Sequence, residues 1–186
     1  MGLKIGFTGT DSTGKSTVIN KLAKLVSNGH TIKVLSIGDI ARHSPYPVIE
    51  QQSIESSYWI LKQVISSELT LQYETDVLIC DRTVLDIWVF SMLSAINGLI
   101  SHQALYLFSQ EVRAWLRTYK VVFYGVIDNS IPVNVNNVPN GNLKMREQFE
   151  ELLLIGIETF KAETVFVKLP STLEERIALV RSALNT

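Results

Sequence analysis

Gly9-Thr10-Asp11-Ser12-Thr13-Gly14-Lys15-Ser16-Thr17 is the stretch that decides the fold. It fits G-x-x-x-x-G-K-[ST] at every fixed position, between an apolar run, Leu3 to Phe7, and a helical pattern, Ser16 to Val26. That strand–loop–helix setting separates a phosphate-cradling loop from a chance match. Glycines let backbone amides turn inward and approach phosphate oxygens. The helix that follows adds unpaired N–H groups and a favourable dipole at its N-terminus. Lys15 is placed to reach β- and γ-phosphates, and the Ser16 hydroxyl to ligate Mg²⁺. The bland alternative is a glycine-rich turn between strand and helix, which the surrounding pattern disfavours.

The chain has 186 residues, enough for one domain with a full core. Hydrophobic residues make up 46% and charged residues 19%, the composition of a globular protein. A formal charge of −1 implies no broad basic field, so tight binding to a nucleic-acid backbone is not favoured. Cys80 is the single cysteine, which excludes an internal disulfide and a cysteine-rich zinc site. It lies in an apolar strand pattern, where an inert buried thiol is the better reading than a nucleophile. The first strand pattern begins at Leu3, leaving no room for a signal peptide ahead of it. No apolar run approaches a membrane span, and the expected location is the cytoplasm.

Outward from the glycine loop, apolar runs alternate with helical patterns, the signature of a parallel sheet covered on both faces. The pattern predicts strands at Leu3–Thr8, Thr31–Ile37, Asp76–Cys80, Lys120–Ile127 and Thr164–Lys168. Helices are expected over Gly14–Asn28, closed by Gly29-His30, and over Val48–Tyr73, as one long or broken element. Val84–Ile96 and a segment from a Ser101 cap to Thr118 follow, then Leu143–Lys161 and a last helix to Leu184. Ser171 three residues before Glu174 reads as a capping box for that last helix. Asp128–Gly141 is polar, rich in asparagine and proline, and aperiodic, the character of a lid or binding loop. No linker or repeat divides residues 1–186, so one domain is expected, with the lid at about residues 128–146. Val84–Ile96 and Ser101–Thr118 are apolar enough to form a homodimer face, although a buried core gives the same pattern.

Two further groups of charged residues fall where ligands gather in an open parallel sheet, at the carboxyl ends of strands. Asp81 closes the apolar run from Asp76 and can hold Mg²⁺ directly or through water. Arg82 follows at once and offers a planar fork for phosphoryl oxygens. A structural Asp–Arg pair is the alternative, which the upstream loop makes the weaker reading. Asp86, four residues after Arg82, either orients that arginine and the metal or acts as a first-turn helix acid. Ser36-Ile37-Gly38-Asp39-Ile40-Ala41-Arg42 closes the second strand pattern. Asp39 is there a candidate for binding an acceptor, as base to a hydroxyl, and Arg42 for gripping an acceptor phosphate. Turn and cap chemistry with a solvated Arg42 explains the same residues.

With these motifs in hand, the chain resembles the P-loop nucleoside and nucleotide kinases. Thymidylate kinase-like proteins are the nearest type, and small phage and bacterial nucleotide kinase-like ATPases are similar. The resemblance rests on Gly9–Thr17 and Asp81-Arg82 and extends over most of the chain as topology. It implies an α/β three-layer sandwich whose five-stranded parallel sheet runs in the order 2-3-1-4-5, with a lid after the fourth strand. It implies Lys15 as phosphate ligand, Ser16 and Asp81 at the metal, and Arg82 on transferred or acceptor phosphate. Two departures stand out. Lids of this class often carry several arginines, whereas Asp128–Gly141 has none, leaving Lys144 and Arg146 as the nearby cations. The residues after Asp81-Arg82 are Thr83-Val84-Leu85-Asp86, not the serine or tyrosine pattern of thymidylate kinases. Tyr58 and Trp59 fall where such kinases stack the acceptor base, although helical spacing also suits core aromatics.

The expected activity is transfer of the γ-phosphate of ATP, with Mg²⁺, to a nucleoside or nucleoside monophosphate. One rival is a kinase acting on a hydroxyl of DNA or RNA, at a polynucleotide end or a hydroxymethylated base. Such an enzyme calls for a basic track and salt-sensitive binding. The other rival is a nucleotide-dependent regulatory ATPase, stimulated by a protein and by no nucleoside.

Overall fold

A computed structural model describes residues 1–25, 31–128 and 143–184. In chain order the elements are β1 (Leu3–Thr8), α1 (Lys15–Leu25), β2 (Ile32–Ser36), α2 (Ile37–Arg42) and α3 (Ile54–Glu74). Then come β3 (Val77–Asp81), α4 (Val84–Ile96), α5 (His102–Leu116), β4 (Val121–Tyr124), α6 (Leu143–Phe160), β5 (Phe166–Lys168) and α7 (Leu173–Leu184). The five strands form one sheet in the order β2-β3-β1-β4-β5, and every pairing is parallel. This is the sandwich of the P-loop kinase fold.

Register brings the strand ends together. Ser36 and Phe7 both align with Asp81, and Thr8 aligns with Tyr124. The carboxyl ends of the four strands β2, β3, β1 and β4 therefore lie at one edge, from which the glycine loop and Arg82 emerge.

Alternation along β1 divides the core. Ile5 and Phe7 pack with Val18, Ile19 and Leu22 of α1 and Val180 of α7. Phe7 also meets Phe123 of β4, ring centroids 5.4 Å apart. Lys4 and Thr8 point to the opposite layer, where Lys4 meets Glu68 of α3 and Thr8 meets Asp86 of α4. That layer is the larger one, built from α3, α4, α5 and α6 around Leu78, Cys80 and Val122. Each large apolar side chain withdrawn from water contributes about 1.5–3 kcal/mol, so both sheet faces stabilise the edge carrying the glycine loop.

Several sequence expectations are corrected. Ile37, expected as the last residue of the second strand, instead opens helix α2 (Ile37–Arg42), with Ser36 Oγ accepting from the Asp39 amide as its cap. The helix expected from Val48 begins only at Ile54, because Ser53 and Ser56 build a reciprocal capping box there. The box of the last helix lies one residue further along, between Thr172 and Glu175. Ser101 caps α5 as expected, accepting from the Ala104 amide. The apolar character of α4 belongs to the core of this chain. Leu85, Ile87, Trp88, Val89 and Leu93 are buried within it, so the homodimer reading has no support from that helix. The Gly29-His30 helix stop and all of the 128–141 loop except Asp128 lie outside the described residues. Among the described residues no helix is long and apolar enough to cross a membrane.

Candidate functional site

The site begins where β1 ends. Gly9 leaves the strand with φ +134°, a conformation side-chain-bearing residues rarely adopt. A Cβ there would lie 2.5 Å from the Gly125 carbonyl oxygen, and one on Gly125 would lie 2.8 Å from Thr13 Oγ1. The loop thus rests on the backbone that leaves β4. Ser12 holds φ +59°, and its buried hydroxyl has no hydrogen-bond partner among the described residues. Lys15, at the first turn of α1, is only 6% exposed. Its ammonium donates to the Gly9 and Thr10 carbonyls, each at 2.7 Å, and to Thr13 Oγ1 at 3.2 Å.

Around this loop the structure gathers three of the charged residues singled out in the sequence. Arg82 leaves β3 in the left-handed region, φ +71°, which turns it back over the loop. Its Nη2 donates to Asp11 Oδ1 at 2.6 Å and its Nη1 to Asp86 Oδ1 at 3.2 Å. Asp86 resolves its two readings by serving both. Its Oδ2 accepts from the Thr83 amide at 2.7 Å, closing the capping box of α4, and from Thr8 Oγ1 at 2.8 Å, while Oδ1 holds Arg82. Arg146 reaches the loop from α6, its Nε donating to the Asp11 carbonyl at 3.0 Å. The residue is 7% exposed, and its buried Nη2 has no partner among the described residues. The lid-side arginine of the sequence is therefore at the loop, whereas Lys144 is exposed.

Asp39 and Arg42 sit on α2, both well exposed, and form an ion pair with each other. Tyr58 and Trp59 sit on α3 against the larger core layer, with Tyr58 edge-on to Phe108 at 5.2 Å. Ser16 and Thr17 are exposed at the start of α1. One residue at the loop, Arg176 of α7, was passed over in the sequence. Nothing in the residues flanking it marks it apart from an ordinary charged helix position.

Ser16 Oγ approaches Asp81 Oδ2 to 3.5 Å. A hydroxyl and a carboxylate on facing element ends suit a hard cation such as Mg²⁺, with phosphate oxygens and water completing its shell. Partial burial raises the Asp81 pKa, opposed by Lys15 and Arg82. Among the described residues no group of three or more His, Cys, Asp and Glu gathers as a metal site of its own.

Burial, with a smaller contribution from Arg82, lowers the Lys15 pKa to about 8, against the opposing pull of Asp86, Asp11 and Asp81. Two expectations follow for the nucleotide-free protein. Between about pH 8 and the unfolded lysine value the unfolded chain binds more protons, so this group makes stability rise with pH across that window. Phosphates bound at the loop favour the charged amine. Triphosphate binding therefore takes up a proton near and above pH 8, and affinity weakens by up to about tenfold per pH unit beyond it. Titration calorimetry in buffers of different ionisation enthalpy reads that uptake directly; equal heats in all buffers at pH 8.5 would exclude it.

The fold and this loop define the class, P-loop proteins with the nucleotide kinase topology. The family model of AAA domains, AAA_28, matches residues 4–176, and the chain belongs to that family. No curated protein matches the sequence. Among solved structures the chain is similar to thymidylate kinase from Candida albicans, with a TM-score of 0.68 at 12% identity, covering 99% of this chain and 91% of that one. It is also similar to deoxyadenosine kinase from M. mycoides with dCMP and dCDP bound, with a TM-score of 0.64 at 16% identity, covering 98% and 99%. The dATP-bound form of the mycoplasma enzyme gives a TM-score of 0.58 at 17% identity, covering 99% and 100%.

Proposed function

We propose that this protein is an ATP-dependent phosphotransferase acting on a nucleoside or a nucleoside monophosphate. The observation that carries the reading is the convergence of Arg82 and Arg146 on Asp11, inside the glycine loop that also buries Lys15. Three cations from three elements then surround the place where a γ-phosphate would sit. The kinase topology of the solved structures it resembles supports the same reading.

In this reading ATP phosphates occupy the loop Gly9–Thr17, and Lys15 leaves its carbonyl partners to meet the β- and γ-oxygens. Ser16 and Asp81 would hold Mg²⁺, which would supply charge neutralisation at the phosphates. The acceptor lies over the ends of β2 and β3, near Asp39, Arg42 and Arg82, with Tyr58 and Trp59 as candidates to stack its base. An acceptor oxygen forms a bond to Pγ as the bond from Pγ to the bridging oxygen of ADP breaks. Where the acceptor is a hydroxyl, Asp39 takes its proton. Arg82 and Arg146 stabilise the charge that spreads over the equatorial oxygens, Arg82 being held in place by Asp11 and Asp86. Positioning and charge neutralisation carry the rate, since little covalent chemistry is asked of the protein.

An acceptor screen tests this. Protein, Mg²⁺ and γ-labelled ATP are incubated with nucleosides, nucleoside monophosphates and short DNA. Label on a free nucleoside or monophosphate is expected. Label on DNA alone would move the acceptor to a polynucleotide, and phosphate release with no acceptor labelled would point to a regulatory ATPase.

A further inference from the structure

Arg176 lies 163 residues from its partner Thr13, on the last helix, and is 5% exposed. Its Nη1 donates to the Thr13 carbonyl at 2.6 Å, and its Nε to the Pro170 carbonyl at 2.5 Å. It approaches so closely that a Cβ on Gly14 would lie 2.6 Å from Nη1. Gly14 itself holds φ +81°. The guanidinium and the bare glycine are thus fitted to each other. Ile177 and Val180 of α7 pack in the same core layer as Val18 and Leu22 of α1, which fixes where the arginine stands. Burial lowers its pKa, with Asp128 opposing.

The Thr13–Gly14 peptide is planar and trans, so its carbonyl and its N–H point in opposite directions. A guanidinium that holds the Thr13 carbonyl on one side directs the Gly14 N–H to the other, toward the hollow of the loop. The charge on the carbonyl also polarises that peptide and makes its N–H a better donor. Lys15 Nζ is turned instead to the Gly9 and Thr10 carbonyls and the Thr13 hydroxyl, and Ser16 Oγ to Asp81.

We propose that Arg176 is a positioning residue for nucleotide phosphates, acting through the Thr13–Gly14 peptide without touching the acceptor. The proposal rests on the phosphate-loop reading given above. It makes the last helix part of the triphosphate site, so triphosphate affinity depends on a residue that the loop motif does not contain.

The test compares wild type, Lys15→Ala, Arg176→Met and Arg176→Lys by calorimetric titration with ATP and with inorganic tripolyphosphate, alongside near-ultraviolet circular dichroism. Arg176→Met keeps the apolar stem against the core, and Arg176→Lys keeps the charge while losing the fork. Both are expected to stay folded and to weaken both ligands by roughly 10- to 100-fold, the worth of one charge-assisted hydrogen bond. Millimolar guanidinium should restore part of the loss in Arg176→Met and leave wild type unchanged, a rescue that a purely structural arginine would not show. Wild-type affinity in either variant would overturn the proposal, as would a weakening in Arg176→Met that guanidinium does not rescue, whether or not the tertiary signal is kept. Failure of wild type to bind tripolyphosphate or ATP would instead overturn the phosphate-loop reading, and the proposal with it.

Discussion

Lys15→Ala is expected to lower turnover by about 100- to 1,000-fold or more while leaving the protein folded. Lys15 is the one ammonium inside the glycine loop, and its present partners are the Gly9 and Thr10 carbonyls and the Thr13 hydroxyl. In the proposed transfer these contacts hold the lysine beside the phosphates it would meet. Burial disfavours its charge there, as the lowered pKa shows, and incoming phosphates relieve that penalty. The interaction therefore strengthens as nucleotide binds and charge shifts toward the leaving oxygen, which is how a residue accelerates chemistry instead of merely holding substrate. The measurement is label transfer under saturating ATP, with near-ultraviolet circular dichroism as the folding control. Full transfer by a folded Lys15→Ala protein would remove phosphoryl transfer at this loop from consideration.

The second large effect concerns stability and lies away from the loop. Lys4 and Glu68 form an ion pair at 2.5 Å with both side chains wholly removed from water. Trp115 Nε1 also donates to Glu68 at 2.6 Å, and the Tyr119 hydroxyl and the Cys80 thiol, at 3.4 Å, share its other oxygen. The Lys4 ammonium stands 4.5 Å and 4.2 Å from the ring centroids of Trp115 and Tyr119, within cation–π range. Burial is the first cause raising the pKa of both Cys80 and Tyr119, with the Glu68 charge adding to it. Lys4→Met strands a buried carboxylate and should cost about 3–5 kcal/mol, or a fall in melting temperature of roughly 6–20 °C. Lys4→Met combined with Glu68→Leu should recover only part of that loss, because removing the carboxylate ends its desolvation but strands the Trp115 and Tyr119 donors. Urea unfolding of the two proteins separates these outcomes. Equal stability of wild type and Lys4→Met would show that the pair carries no net energy.

What was legible in the sequence was whatever local chemistry encodes. The loop Gly9–Thr17, the Asp81-Arg82 strand end and the Ser101 cap each declare themselves within a few residues. The β2-β3-β1-β4-β5 order came from the family resemblance and stands in the structure. The sequence pattern carries the second strand one residue too far, to Ile37, because that β-branched residue continues the apolar run of β2, and the Ser36 cap that turns the chain into α2 is a single hydrogen bond. The last capping box was displaced because Ser171/Glu174 and Thr172/Glu175 fit the same spacing, and only the backbone chooses between them. Nothing near Lys4 in the sequence signals its ion pair, because Glu68, its partner, lies 64 residues on. The sequence marks Arg146 only as a cation beside the loop after β4; its contact with Asp11 spans 135 residues and that of Arg176 with Thr13 spans 163, so neither contact is written near either residue.

The contact between Gly9 and Gly125 bears on how this architecture can diverge. Each backbone occupies the space where the other neighbourhood would need a methyl group, directly at Gly9 and through Thr13 at Gly125. Drift at either position is closed by volume, whatever the chemistry performed above it. The surrounding side chains are under no such steric rule, and identities of only 12–17% accompany a shared fold in the solved structures it resembles. A side chain at Gly9 or Gly125 would have to displace the Gly125 backbone or Thr13 before the loop could seat against the end of β4.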